Sequence, residues 1–194
     1  MRSEQDIREQ QATPASVRRV DPSRRSKIID AALHVIATEG VAGTSHRKVA
    51  ATANVPLGSM TSHFTGLDEL LHEAFSRFAG QVADRFDQRM EQAHSHTDAL
   101  SAIAANISDD IFAEQHDLAL TLELYTLAAR DPAYRDITTR WMGRTRATLE
   151  EHFDPMTARL INVLIEGLTI HCALSLALEN APDVGEAIRR VTAT

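Results

Sequence analysis

Apolar residues recur at three- and four-residue intervals along most of this chain, and no stretch alternates apolar and polar positions long enough to make a strand. The spacing predicts helices joined by short breaks. Ile28, Ala31, Ala32, Val35 and Ile36 share one helical face, with Asp21 placed to cap its start, Pro22 in its first turn and Gly40 to end it. A shorter helix is expected from Ser45, with Val49, Ala50 and Ala53 on its inner side. Asn54 then stands where a tight turn needs a left-handed residue, and Pro56 fixes φ for the next helix. Two short helices joined by such a turn make a helix-turn-helix.

Beyond it, Leu67, Leu70, Leu71, Ala74, Phe75, Phe78, Val82 and Phe86 keep a helical period up to Met90. "HSHT" breaks the pattern. Further helices are expected from about Thr97, over "EQHDLALTLELYTLAARD" as far as Pro132, over "PAYRDITTRWMGRTRATLEEHF" as far as Pro155, over "MTARLINVLIEGLTIHCALSLALEN", and over "DVGEAIRRVTA". The fold class is therefore all-α, without an internal repeat. Residues 1–20 are polar and predict a flexible arm, 21–66 a helix-turn-helix domain, and 67–194 a helical body.

The stretch Leu160 to Leu178 approaches membrane-spanning length, but Asn162, Glu166 and His171 inside it are costly in lipid. A buried helix of a soluble protein is the expectation. It carries two apolar stripes. Ile161, Leu164, Ile165, Leu168, Cys172 and Leu176 form one, and Leu160, Val163, Gly167, His171, Leu174 and Leu178 the other. A surface helix needs only one, so the second implies burial against a second copy of the chain.

Charge sharpens the division. The whole chain is acidic, at -7. Residues 18–64 nevertheless hold seven basic and three acidic side chains, while 67–194 hold eleven Arg, no Lys and twenty-one Asp and Glu. A small basic module on an acidic body points to a local rather than a general affinity for nucleic acid. With Cys172 as the sole cysteine, there is no disulfide framework and no Cys-based zinc site. The first residues lack the apolar core of a secretory signal, so a cytoplasmic location is expected. His94, His96 and His116 lack the flanking ligands of a metal site, and no nucleophile, base and orienting group stand together. No cofactor, no metal and no enzymatic activity are expected.

"NVPLGSMTSHF", residues 54–64, is poor helix material, because Gly58 costs a helix about 1 kcal/mol relative to Ala. Its run with the preceding segments, "IIDAALHVIATEGVAGTSHRKVAATANVPLGSMTSHFTGLDELL", resembles the TetR family of bacterial transcriptional regulators. The resemblance covers roughly residues 23–75; beyond that the chain matches only in being helical and of suitable length. It implies a recognition helix marked by Gly58 and by "HF", and a ligand-binding, dimerising body, with ligand-relieved repression as the family default. It also implies a palindromic double-stranded DNA operator, and dimerisation through the last two long helices, residues 157–179 and 183–192. The family usually has Tyr at one or both of the positions held by Thr61 and Ser62, and often Lys at Leu67; those residues commonly hold phosphates. Their absence implies either a lower non-specific affinity or contacts shifted toward Arg47, Lys48 and the arm.

Read for that role, Gly58 lets the backbone approach the major groove, and Ser59, Thr61 and Ser62 offer hydroxyls to bases or phosphates. Leu57, Met60 or the Thr61 methyl suit a thymine methyl, and His63 a phosphate. Ser45, His46, Arg47 and Lys48 lie at the start of the preceding helix, whose positive end favours phosphate, and Arg24, Arg25 and Lys27 open the first. By the same resemblance the body encloses an effector pocket for a small, mainly apolar molecule, with Asn106, Phe112, Thr121, Tyr125, Trp141 and His171 as candidate contacts. The dimer candidates are Ile161, Leu164, Ile165, Leu168, Cys172 and Leu176. The other reading left open by the missing Tyr and Lys is a helical interaction or ligand-binding protein whose degenerate helix-turn-helix no longer reads DNA.

Overall fold

A computed structural model describes residues 22–107, 115–174 and 182–192. Its elements are α1 (Pro22–Gly43), α2 (His46–Thr52), α3 (Gly58–His63), α4 (Leu67–Met90), α5 (His96–Ala105), α6 (Gln115–Ala128), α7 (Pro132–Glu150), α8 (Pro155–Leu174) and α9 (Pro182–Thr192). No strand occurs among the described residues. The arm expected at 1–20 and Phe112 lie outside them.

Local chemistry sets the ends of several helices. The Ser95 hydroxyl accepts from the Asp98 N–H to start α5, and the Asp131 carboxylate accepts from the Ala133 N–H to start α7. Gly40, expected to end the first helix, breaks α1 instead, at φ 72°, and the chain makes a further turn to Gly43. A Cβ at Gly40 would lie 2.8 Å from a carboxylate oxygen of Glu123 on α6. The break thus combines a left-handed backbone with a close approach, and both favour glycine.

Two cores form. The first gathers Ile28 and Ile36 of α1, Val49 of α2, Met60 of α3 and Phe75 of α4, together with Leu120, Leu124 and Ile137 from α6 and α7. The second holds Phe86 and Met90 at the end of α4 with Ile103, Leu149, Ile161 and Ile188. The first core does not stop at residue 66. The helix-turn-helix packs into the body by two routes, α1 against α4 and α1 against α6. Polar ties run beside them: Arg77 reaches Asp30 at 2.8 Å and the Ser26 hydroxyl at 2.9 Å, while Arg144 of α7 holds Asp84 and Asp87 of α4. No described helix is long and apolar enough to cross a membrane.

Candidate nucleic-acid interface and ligand cavity

The turn between α2 and α3 follows from its residues. The Ser45 hydroxyl accepts from the Lys48 N–H as the cap of α2, so its oxygen serves the helix. Asn54 takes φ 52°, the left-handed value expected for it. The Val55 N–H then bonds back to the Ala50 carbonyl at 2.9 Å, and Pro56 leads into α3.

The six residues of α3 divide sharply by face. Met60 is wholly buried and Ser59 is 8% exposed, with Phe64 just beyond the helix also inside. Met60 and Phe64, four residues apart, stand on one face and lock α3 onto α1 and α2. This corrects the expectation for Met60 and Ser59: in this fold they are packed against the core and do not face a groove. Leu57, Gly58, Thr61 and Ser62 are exposed, and His63 is half-buried. A Cβ on Gly58 would touch nothing within 4 Å, so the protein's own packing does not require glycine there. The Thr61 hydroxyl donates to the Gly58 carbonyl and the Ser62 hydroxyl to the Ser59 carbonyl, which leaves their oxygens as outward acceptors.

The basic residues also divide. Arg24, Lys27 and Arg47 are exposed and form no ion pair with another described residue. Arg25 is half-buried and engaged within the fold. Its guanidinium pairs with Glu69 at 3.4 Å and with Glu73, and lies 4.5 Å over the Phe64 ring. It clasps α1 to α4, an engagement that competes with the DNA contact expected of it. Lys48 is engaged as well, pairing with Glu39 and donating to the Gly43 carbonyl at 2.9 Å. His46 is half-buried, and its Nε2 is buried without a hydrogen-bond partner.

In the body, α4, α6, α7 and α8 line a small cleft of about 80 Å³ that opens to solvent. Phe78, Phe86 and Trp141 supply aromatic wall, and Asn106, Thr121 and Thr145 supply polar atoms. Three expected residues therefore line it: Asn106, Thr121 and Trp141. Tyr125 stands at its edge, with its ring 6.3 Å from Trp141 and its hydroxyl donating to Glu166. His171 is exposed and absent from the lining, because its place on α8 turns it to the surface.

Sequence reasoning missed the charged wall of Glu166, Arg85 and Asp117. Arg85 and Asp117 pair with each other. Glu166 has no cationic partner among the described residues; burial pushes its carboxyl above the usual range, and the Tyr125 hydrogen bond only partly offsets this. Burial, and then the neighbouring Glu166, raise the Tyr125 hydroxyl too. The available signal was a lone acid in the apolar run "LINVLIEGLTI".

On α8 the described dimer candidates lie toward the inner side. Ile161 and Ile165 are buried in the second core, with Leu164 and Leu168 packed against it. Leu176 and the Cys172 side chain lie outside the described residues. The exposed face is Met156, Leu160 and Val163, at 62%, 46% and 65%. Among the described residues no group of three or more His, Cys, Asp or Glu side chains could hold a metal ion.

Comparison with known proteins completes the picture. The family model "Bacterial regulatory proteins, tetR family" matches residues 28–74. The HTH-type transcriptional regulator CymR of Pseudomonas putida is 29% identical over 127 residues, covering 66% of this chain and 62% of that protein. The crystal structure of SCO7518 from Streptomyces coelicolor A3(2) is similar at a TM-score of 0.82 with 50% identity, covering 89% of this chain and 100% of that one. The multidrug binding protein EbrR complexed with ethidium is similar at a TM-score of 0.76 with 33% identity, covering 88% of this chain and 99% of that one.

Proposed function

This chain belongs to the tetR family of bacterial regulatory proteins and is a transcriptional regulator with a helix-turn-helix; on that premise we propose that it is a repressor that grips a palindromic operator as a homodimer in the cytoplasm and is released by a small molecule. The observation that carries this reading is the division of α3. One side is locked to the core by Met60, and the other presents Gly58, Thr61 and Ser62 beside the exposed Arg47. That is a rigid element with a low-profile polar face, the form a major-groove reader needs. Arg24, Lys27 and Arg47 hold phosphates, while Thr61, Ser62 and Leu57 meet base edges.

Homodimer formation is supported by α8. Of the four large apolar side chains that stand exposed among the described residues, three lie on its outer face and the fourth, Leu57, is in the DNA-binding turn. A second copy covering Met156, Leu160 and Val163 would bring two recognition helices into one particle, and a palindromic operator needs them about one DNA turn apart, roughly 34–36 Å, or wider. Release is supported by the cleft between α4 and α8, since α4 also carries the helix-turn-helix. EbrR, similar over most of both chains, has been crystallised with ethidium. A ligand that prefers a spacing of α3 helices unfit for DNA lowers operator affinity, and by linkage the operator lowers ligand affinity by the same factor.

The test is selection of bound genomic DNA with the purified protein, followed by footprinting. An inverted repeat protected as two half-sites is the expected result. No enriched sequence, or binding indifferent to sequence, would overturn the operator assignment.

A further inference from the structure

Lys48 stands in the first turn of α2, next to the open Arg47, and both of its acceptors come from the end of α1. They are the Glu39 carboxylate and, at 2.9 Å, the Gly43 carbonyl. A Cβ at Gly43 would lie 2.9 Å from the Cβ of Glu39, so a larger residue there would push Glu39 aside. The second acceptor changes the balance. A lone exposed ion pair is weak enough for a DNA phosphate to take the lysine from it. A Lys48 that moved to a phosphate would give up the carbonyl too, and would leave the Glu39 carboxylate bare beside a polyanion, where like charges repel.

We propose that Glu39 is a positioning residue for DNA binding: it holds the Lys48 ammonium off the phosphates, so that the start of α2 offers Arg47 rather than two adjacent cations. The inference rests on reading α2 and α3 as the DNA-binding face. Phosphate contacts carry no sequence information and strengthen the hold on every sequence alike. They supply essentially all of the affinity for DNA that lacks an operator. Withholding one cation in each subunit therefore loosens the protein from wrong sites, where it has no base contacts to fall back on. Arg25, engaged by Glu69 and Glu73, is withheld in the same direction. Each subunit thus meets DNA with Arg24, Lys27 and Arg47, fewer charges than its sequence carries.

The experiment is a double-mutant cycle on the full chain, with Glu39→Gln, Lys48→Ala and the two together. Each protein is titrated over a range of salt with the selected operator and with a random duplex of the same length. Glu39→Gln keeps the shape of the side chain and removes its charge. It is expected to bind both duplexes more tightly, by roughly tenfold at about 50 mM salt for each Lys48 that reaches a phosphate, and to steepen the log–log salt slope by about one unit for each. The preference for operator over random DNA should stay as it was. In the double variant the gain and the added slope should vanish. Glu39→Ala should repeat the gain, and circular dichroism should be unchanged in every variant, because both side chains are exposed. No gain in either Glu39 variant, or a gain without added slope, would overturn the proposal. So would a gain that survives Lys48→Ala, since Glu39 would then act on DNA by direct repulsion and not through Lys48. A wild type that holds neither duplex would overturn the reading of function, and this inference with it.

Discussion

The helix-turn-helix and the body end their surfaces in opposite ways. Around α3 the apolar side chains Met60 and Phe64 are buried, and small polar groups face outward. Along α8 the inner stripe of Ile161 and Ile165 is satisfied, yet Met156, Leu160 and Val163 still stand in the open. Apart from Leu57, the first surface is finished with respect to water and is shaped for a polar, charged partner. The second is unfinished and is shaped for an apolar one. Two different occupants follow from one principle: exposed groups are informative when they depart from what the fold itself needs.

The largest expected effect breaks this contrast on the apolar side. Val163→Glu places a charge at the centre of the open α8 face, where pairing would strand it without a partner, a change that commonly costs several kcal/mol. Light scattering should then report monomer at concentrations where the wild type is dimeric, and operator binding should fall at least about a hundredfold, as expected when two half-sites are no longer linked. Circular dichroism should be unchanged, because the Val163 side chain stands outside its own core. A dimer that survives Val163→Glu would move the interface elsewhere.

The next effect separates the two faces of α3. Met60→Ala should destabilise the fold by about 2–5 kcal/mol through the cavity it leaves, seen as a lower denaturation midpoint. Thr61→Ala, one residue on, should alter stability by less than about 0.5 kcal/mol, yet relax base preference at one operator position by about 1–3 kcal/mol. If Met60→Ala left stability intact, or Thr61→Ala changed neither affinity nor preference, the division of α3 would be wrong.

The same contrast explains what the sequence reveals and what it hides. The turn is legible because its demands are local: Asn54 for the left-handed residue, Pro56 for the restart, Ser45 for the cap. All three stand within a dozen residues. The faces of α3 are not, since a six-residue helix gives no period to count and only the core shared with α1, α2 and α4 decides which side Met60 takes. On α8 the sequence carries two stripes of similar strength, and the positions of α7 and α9 choose between them. Arg25 and Glu166 escape a reading by sequence for a related reason. Their partners lie 41 to 48 residues away, in Glu69, Glu73 and Tyr125, beyond anything spacing reveals.

A smaller effect sharpens the account of the basic residues. Arg47 and Lys48 are adjacent candidates by sequence, but Lys48 is tied to Glu39 and the Gly43 carbonyl while Arg47 is open. Arg47→Ala should flatten the dependence of log affinity on log salt by about one unit, because one fewer phosphate is neutralised. Lys48→Ala should change it less. Equal slopes in the two variants would mean that Lys48 leaves Glu39 for DNA.

The smallest effect lies at the seam between the two regions. Glu69 in the first turn of α4 accepts from the Thr65 N–H at 2.6 Å and from the Thr65 hydroxyl at 2.7 Å. These two bonds, then Arg25, hold its carboxyl below the usual carboxylate range. A carboxyl depressed on folding contributes stability that is present above its unfolded pKa and lost as pH falls through its folded one. Thermal stability of the wild type should therefore decline as the pH drops through and below the ordinary carboxylate range. Glu69→Gln has nothing to titrate there. It should start less stable at neutral pH and lose stability less steeply on acidification, so the two curves converge. Convergence rather than collapse is expected because Glu69 is exposed to solvent screening and Glu73 keeps its own pairing with Arg25 when Glu69 is gone. Melting temperatures of both proteins across that range decide it. Parallel curves would show that the Thr65 bonds do not bias the protonation of Glu69, and that the seam is held by Arg25 with Glu73 and by the apolar contact of α1 on α4 alone.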